Sequence, residues 1–209
     1  MPSSTQAMEK PKETLAYSLH GNCYLNITWH CTLRCRFCPK FNGSWDVQGY
    51  NLWLHEEPGV EQILAAIGDP AQYREVVFCG YGEPTLRLDV LLEVAGALKQ
   101  QGVRIRINTD GLANLVHGCD VTPRLAEVVD AVSISLNAQD EPLYEHHCRP
   151  KRHGAFMALQ NFARRASQRG MDVTLTAVNG LEGVDIHACQ DIAEHLGVKF
   201  RPRKLDQVG

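Results

Sequence analysis

The segment Cys31-Thr-Leu-Arg-Cys35-Arg-Phe-Cys38-Pro39 sets three thiols within eight residues, in a chain of 209 residues that carries eight cysteines. Three thiolates on one short loop suit a soft metal or an iron–sulfur cluster. Structural zinc normally takes four protein ligands, often as two close Cys-x-x-Cys pairs. No second compact pair follows here, and His30 is too close to Cys31 in the chain to chelate comfortably with it. Four-cysteine ferredoxin spacing is also absent. A cubane held by three cysteines leaves one iron open for a small chelating cofactor or substrate. The other cysteines (Cys23, Cys79, Cys119, Cys148 and Cys189) are dispersed and read as buried thiols, with Cys119 and Cys148 as candidate hydrogen-atom donors.

A second segment, Gly80-Tyr81-Gly82-Glu83-Pro84, follows an apolar run. Its carbonyls and the Glu83 carboxylate can accept hydrogen bonds from an ammonium group, and glycine permits close backbone approach. Arg104, Arg106, Arg201 and Arg203 suit bidentate recognition of carboxylate or phosphate. The stretch from His146 to His153 reads as a basic loop, either an anion-binding element or a solvated positive surface. A metal role for His146, His147 and Cys148 is disfavoured, because three neighbouring residues rarely converge on one ion. Trp45, Tyr50 and Trp53 read as a lid, a flat binding surface or simple packing over one end of the fold.

The elements that must position these groups follow an alternating pattern. Strand signals fall at 24–29, 75–79, 104–108, 131–136, 172–178 and 198–201, and helix signals at 59–67, 89–101, 122–129, 154–169 and 184–196. Thr122 before Pro123 reads as a helix N-cap, and Asp110-Gly111 as a turn. Six strands alternating with helices predict an α/β fold with parallel strands. A complete eight-stranded barrel needs about 250 residues, so an incomplete six-stranded (βα)6 barrel is expected. The whole chain, 1–209, reads as a single domain with 1–20 as a loose N-terminal segment. One strand face carries Asn26, Thr28, Arg104, Arg106, Asn108, Ser133, Ser135, Asn137, Thr174 and Thr176, while the opposite face is apolar. The polar face predicts a wet interior cleft.

Composition narrows the setting. The chain is 44% hydrophobic and 22% charged, with a formal net charge of -3. That balance disfavours a nucleic-acid partner attracted by net charge. No apolar stretch reaches membrane-spanning length and no apolar secretory core opens the chain, so a cytoplasmic protein without disulfides is expected.

Taken together, the two motifs resemble those of the radical S-adenosylmethionine (radical SAM) enzymes. The family's cysteine loop has the same x3-then-x2 spacing, with an aromatic residue before the third cysteine, here Phe37. Its Gly-Gly-Glu-Pro element follows the second strand, where this chain has Gly80 to Pro84. The resemblance implies a [4Fe-4S] cluster on Cys31, Cys35 and Cys38, with the unique iron bound by the amino and carboxylate groups of S-adenosylmethionine. It also implies one-electron cleavage of a C–S bond to a 5′-deoxyadenosyl radical, which abstracts hydrogen from a substrate.

Cofactor contacts implied in the same way are Phe37, Gly80, Tyr81, Gly82, Glu83 and Pro84. Asn108 and Thr109 belong near the methionine carboxylate, Ser135 and Asn137 at the ribose, and Val178 and Asn179 at the adenine edge. Expected partners are an external one-electron reductant, flavodoxin- or ferredoxin-like, and a small polar or anionic substrate or a peptide. Two other readings are a glycyl-radical activating enzyme acting on a partner protein, and a non-catalytic electron-transfer or sensor protein. The runs 25–28, 79–89 and 133–138 also look like the TatD family-associated radical SAM group.

Overall fold

The computed structural model describes residues 13–205. Its strands are β1 (Ala16–Leu19), β2 (Asn22–Asn26), β3 (Asp46–Val47), β4 (Tyr50–Asn51), β5 (Val76–Cys79), β6 (Ile105–Thr109), β7 (Ala131–Ser135), β8 (Asp172–Asn179) and β9 (Lys199–Lys204). The helices are α1 (Val60–Ile67), α2 (Leu88–Lys99), α3 (Ala113–His117), α4 (Thr122–Ala126), α5 (Glu141–Cys148), α6 (Ala155–Gln168) and α7 (Ile186–His195). The main sheet runs β1-β2-β5-β6-β7-β8-β9. Its β2 to β9 portion is parallel throughout, and β1 joins antiparallel to β2.

Alternation along the strands divides the molecule. Leu25, Ile105, Ile107, Ile134, Val173 and Leu175 point to the helical layer, where Leu91, Val94, Leu98, Leu159 and Phe162 meet them in one continuous core. The other face carries Arg104, Arg106, Asn108, Ser133, Ser135 and Thr174 into a cavity. The wet interior expected from the sequence is therefore present. Asn26 and Thr28 lie on that face but are buried. Asn26 donates to Thr14 O and Leu52 O, and Thr28 donates to Glu57 Oε1.

Several expectations need correction. The segment read as loose up to residue 20 contains β1, whose Tyr17 and Leu19 form a second apolar cluster with Val47 and Leu52; residues 1–12 lie outside the described part. The Trp45–Trp53 stretch is a short hairpin, β3–β4, with Trp45 and Trp53 packed edge to face at 4.7 Å. His146, His147 and Cys148 form the last turn of α5 rather than a loop. Thr122 lies inside α4, and Asp120 supplies the acceptor for its amide and hydroxyl. Asp140, which caps α5 by accepting from Leu143 N, with Pro142 in the first turn, was the local signal for that helix. Among the described residues, no helix is long and apolar enough to cross a membrane.

Candidate functional site

The C-terminal ends of the parallel strands open on a cavity of about 780 Å³. Cys31, Cys35, Phe37 and Cys38 form part of its wall, facing Gly80, Tyr81, Gly82 and Glu83. The two loops are built against each other. Glu83 N donates to His30 O at 2.7 Å, and Lys40 Nζ bridges Trp29 O at 2.9 Å and Tyr81 O at 2.8 Å. Gly82 is required by this approach, since a Cβ there would lie 2.1 Å from Thr28 O. Gly80 has φ +100°, and a Cβ would meet Asn26 Oδ1 at 2.6 Å.

The cysteine loop is tied down on its other side too. Arg34 N donates to Cys148 O at 3.0 Å, Arg36 N to His147 O at 2.9 Å, and Lys151 N to Thr32 O at 3.0 Å. Lys151 Nζ reaches Cys31 O at 2.8 Å. Thr32 Oγ1 donates to Asp110 Oδ2, beside Glu83. Burial, and then the Glu83 carboxylate, push Asp110 well above the usual carboxylate range.

Glu83 lines the cavity and is held by four protein donors. Its Oε1 accepts from Thr85 N at 3.0 Å, Thr85 Oγ1 at 2.6 Å and Thr109 Oγ1 at 2.8 Å, and its Oε2 accepts from Asp110 N at 2.7 Å. The side chain is 3% exposed. Most of its acceptor capacity thus locks the loop after β5 to the end of β6, leaving the backbone of Gly80 to Gly82 as the more open surface.

The other sequence candidates divide in the same way. Asn108 and Thr109 both line the cavity, Asn108 with its amide 3.3 Å from Cys79 Sγ and Thr109 with its hydroxyl donating to Glu83 and accepting from Gly111 N. Ser135, Asn137 and Val178 line the cavity; Pro84 and Asn179 do not. Pro84 is buried at the start of a 3-10 turn, and Asn179 is exposed at the end of β8. Arg106 is committed to Glu75 through Nε at 3.0 Å and Nη2 at 2.8 Å, so it is not a free substrate contact. His146 meets Arg36, and His147 Nε2 meets Glu182 O at 2.8 Å, so with Cys148 they do not converge. Cys119 is exposed on the surface and is absent from the cavity wall.

Four contributors escaped the sequence reading: Lys40, Asp110, Tyr144 and the placement of Cys148 under the cluster loop. Lys40 directly follows the Cys38-Pro39 pair, which was its only local signal. Asp110 read as half of a turn.

The donor set fits a cluster better than a single ion. Among the described residues, no three His, Cys, Asp or Glu side chains gather as a one-ion site. Three thiols spread along a cavity wall instead suit separate irons of one cluster. Burial, then the charges of Asp110 and Glu83, raise the Cys31 thiol; a hydrogen bond with Cys148, then burial, raises Cys35; burial raises Cys38. Such thiols ionise only when a cation compensates them. Tyr144 is fully buried and its hydroxyl has no partner among the described residues.

A parallel sheet with its cavity at the strand C-terminal ends, lined by three thiols and a glycine-rich loop, defines a cofactor-binding α/β partial barrel. The Radical SAM superfamily model matches residues 25–196, most of the chain, and the chain belongs to that superfamily. Among proteins of similar fold, TsrM from Kitasatospora setae holds cobalamin and a [4Fe-4S] cluster, with a TM-score of 0.56 at 11% identity, covering 83% of this chain and 35% of that one. The present chain is 28% identical over 148 residues to a GTP 3',8-cyclase of Rhodococcus opacus (strain B4), a match covering 70% of this chain and 40% of that protein. It is 31% identical over 129 residues to a probable dual-specificity RNA methyltransferase RlmN of Prochlorococcus marinus (strain MIT 9211), covering 55% of this chain and 33% of that protein. The chain therefore spans less than half the length of these relatives. Streptococcus suis SuiB bound to S-adenosylmethionine has the same fold, with a TM-score of 0.62 at 16% identity, covering 88% of this chain and 38% of that one.

Proposed function

We propose that this chain is a radical SAM enzyme with Cys31, Cys35 and Cys38 as cluster ligands and the Gly80–Gly82 backbone as the seat of the methionine ammonium group. When bound, the cluster and S-adenosylmethionine supply one-electron cleavage to methionine and a 5′-deoxyadenosyl radical, which takes a hydrogen atom from the substrate. The observation that carries this reading is the shared wall. The three thiols and the Gly80–Glu83 loop line one cavity and are joined by the Glu83 N to His30 O bond.

The chain's own residues then have definite roles. Lys40 occupies the carbonyls of Trp29 and Tyr81 and so fixes the spacing of the two loops. Glu83 and Asp110 hold the loop after β5 against β6. Ser135, Asn137 and Val178 offer polar and apolar walls to the nucleoside portion. The single-domain organisation, and placement in the TatD family-associated group on the runs 25–28, 79–89 and 133–138, belong to the same proposal.

The test is anaerobic reconstitution with iron and sulfide, followed by reduction. The loaded protein is expected to release 5′-deoxyadenosine and methionine from S-adenosylmethionine, and Cys35→Ala is expected to release neither. A loaded, reduced wild-type protein that binds S-adenosylmethionine but leaves it intact with every reductant supports a sensor or electron carrier instead.

A further inference from the structure

Along the sheet, the cavity strand farthest from Gly82 is β9, whose Arg201, Arg203 and Lys204 have no carboxylate partner among the described residues. The order β5-β6-β7-β8-β9 puts it four strand spacings from the glycine loop, roughly 19 Å along the curved sheet. Register fixes the placement: Arg201 lies opposite Thr176, and Arg203 opposite Val178. Residues two apart in a strand share a face, and both arginines line the cavity.

The other cavity arginines are already paired, Arg106 with Glu75 and Arg104 with Glu75 and Asp172. Arg203 differs. Its Nη2 donates to Asn137 Oδ1 at 3.0 Å, while its Nε is sealed from solvent with no acceptor. Arg201 is exposed at the same wall, and neither forms an ion pair among the described residues. Burial and then the Arg201 charge push the Arg203 guanidinium below its ordinary value. Two adjacent like charges that no carboxylate among the described residues neutralises are held in a cavity wall by strand register. A guanidinium fork with an unfilled donor is a site for a planar or tetrahedral oxyanion.

We propose that Arg203 and Arg201 bind a carboxylate or phosphate group of the substrate, so that the substrate is an anion held on the β9 side while its reacting end faces the cysteine loop. This rests on the reading of the cavity as a radical SAM site, in which the cofactor's own carboxylate is assigned to the iron. Asn137 is then a positioning residue that orients the guanidinium, whose cavity-facing edge meets the anion.

The test uses the full chain, with inorganic phosphate and succinate as separate probes at constant ionic strength against chloride. At least one anion is expected to raise the thermal midpoint of the wild-type protein in a saturable manner. Arg201→Gln, at an exposed position, and Arg203→Lys, which keeps the charge and loses the fork, are each expected to weaken that binding about tenfold or more. Binding of S-adenosylmethionine to cluster-loaded Arg201→Gln is expected to change by less than about twofold, whereas Arg203→Lys, which alters the contact with Asn137, is read for anion binding alone. Absence of saturable stabilisation by either anion overturns the proposal. So does loss of S-adenosylmethionine affinity as steep as the loss of anion affinity, which marks the arginines as cofactor contacts. If wild type binds the anion through these arginines yet never cleaves S-adenosylmethionine, the radical reading falls and the anion site stands. If it cleaves the cofactor and binds neither probe, only the anion site falls.

Discussion

Gly82→Ala tests the contact that joins the two motif loops. A Cβ at this position would lie 2.1 Å from Thr28 O, 2.7 Å from Thr28 C and 2.8 Å from His30 O, whereas ordinary contact begins near 3.4 Å. Clearing the first atom alone requires 3.4 − 2.1 = 1.3 Å of separation. All three neighbours are main-chain atoms, so no side chain can swing aside. The shift also breaks the Glu83 N to His30 O bond. Overpacking costs about 1–3 kcal/mol and a lost hydrogen bond about 1 kcal/mol, giving about 2–4 kcal/mol. For a chain of this size that lowers the thermal midpoint by about 5–15 °C. Gly96→Ala is the control, because its Cβ would meet only Val128 Cγ1 at 3.8 Å within a helix and should be neutral or slightly stabilising. Calorimetry of the apo protein reads the stability, and iron per chain after reconstitution reads the loop. A Gly82→Ala protein that melts with wild type and takes up the same iron would refute the reasoning.

Three other perturbations address separate contacts. Glu83→Ala orphans four protein donors and should cost about 4 kcal/mol in urea unfolding; a loss below about 1 kcal/mol contradicts the locking role. Asp110 has its folded pKa raised, so the folded chain keeps a proton that the unfolded chain releases above about pH 4, and its contribution to stability falls as pH rises through the folded value. Asp110→Asn cannot ionise, so its stability relative to wild type should improve from acid toward neutral pH, and a constant difference would count against the raised Asp110 carboxyl. Cys148→Ala removes a hydrogen-bonding neighbour of Cys35. The midpoint potential of the loaded cluster should become more negative by about 40 mV for each kcal/mol of lost hydrogen bond, followed by spectroscopic redox titration.

Local chemistry carried much of this structure. The cysteine spacing and the Gly80–Pro84 run located both walls of the site, because each is a contiguous segment with few alternative uses. Strand alternation located Arg104, Arg106, Asn108, Ser133 and Ser135 on the cavity face, since a period of two admits little ambiguity once one face is apolar. What escaped was set by distant pairing. Whether Arg106 is free or spent depends on Glu75 across a neighbouring strand, and the carboxylates of Glu83 and Asp110 meet only when β5 and β6 align. The strand β1 was missed because its four residues carry no decisive pattern until Tyr17 finds Tyr24 and Tyr50. The last turn of α5 was obscured by its own histidines, whose charge suggested a loop.

The tethers of the cysteine loop have a thermodynamic consequence. Arg34, Arg36, Lys40, Thr32 and Lys151 each fix it to a different neighbour through backbone or side-chain bonds. The conformational entropy lost in shaping the loop is therefore lost when the chain folds, and little remains to be lost on uptake of iron and sulfide. Cluster loss and rebuilding become exchange reactions on a standing scaffold.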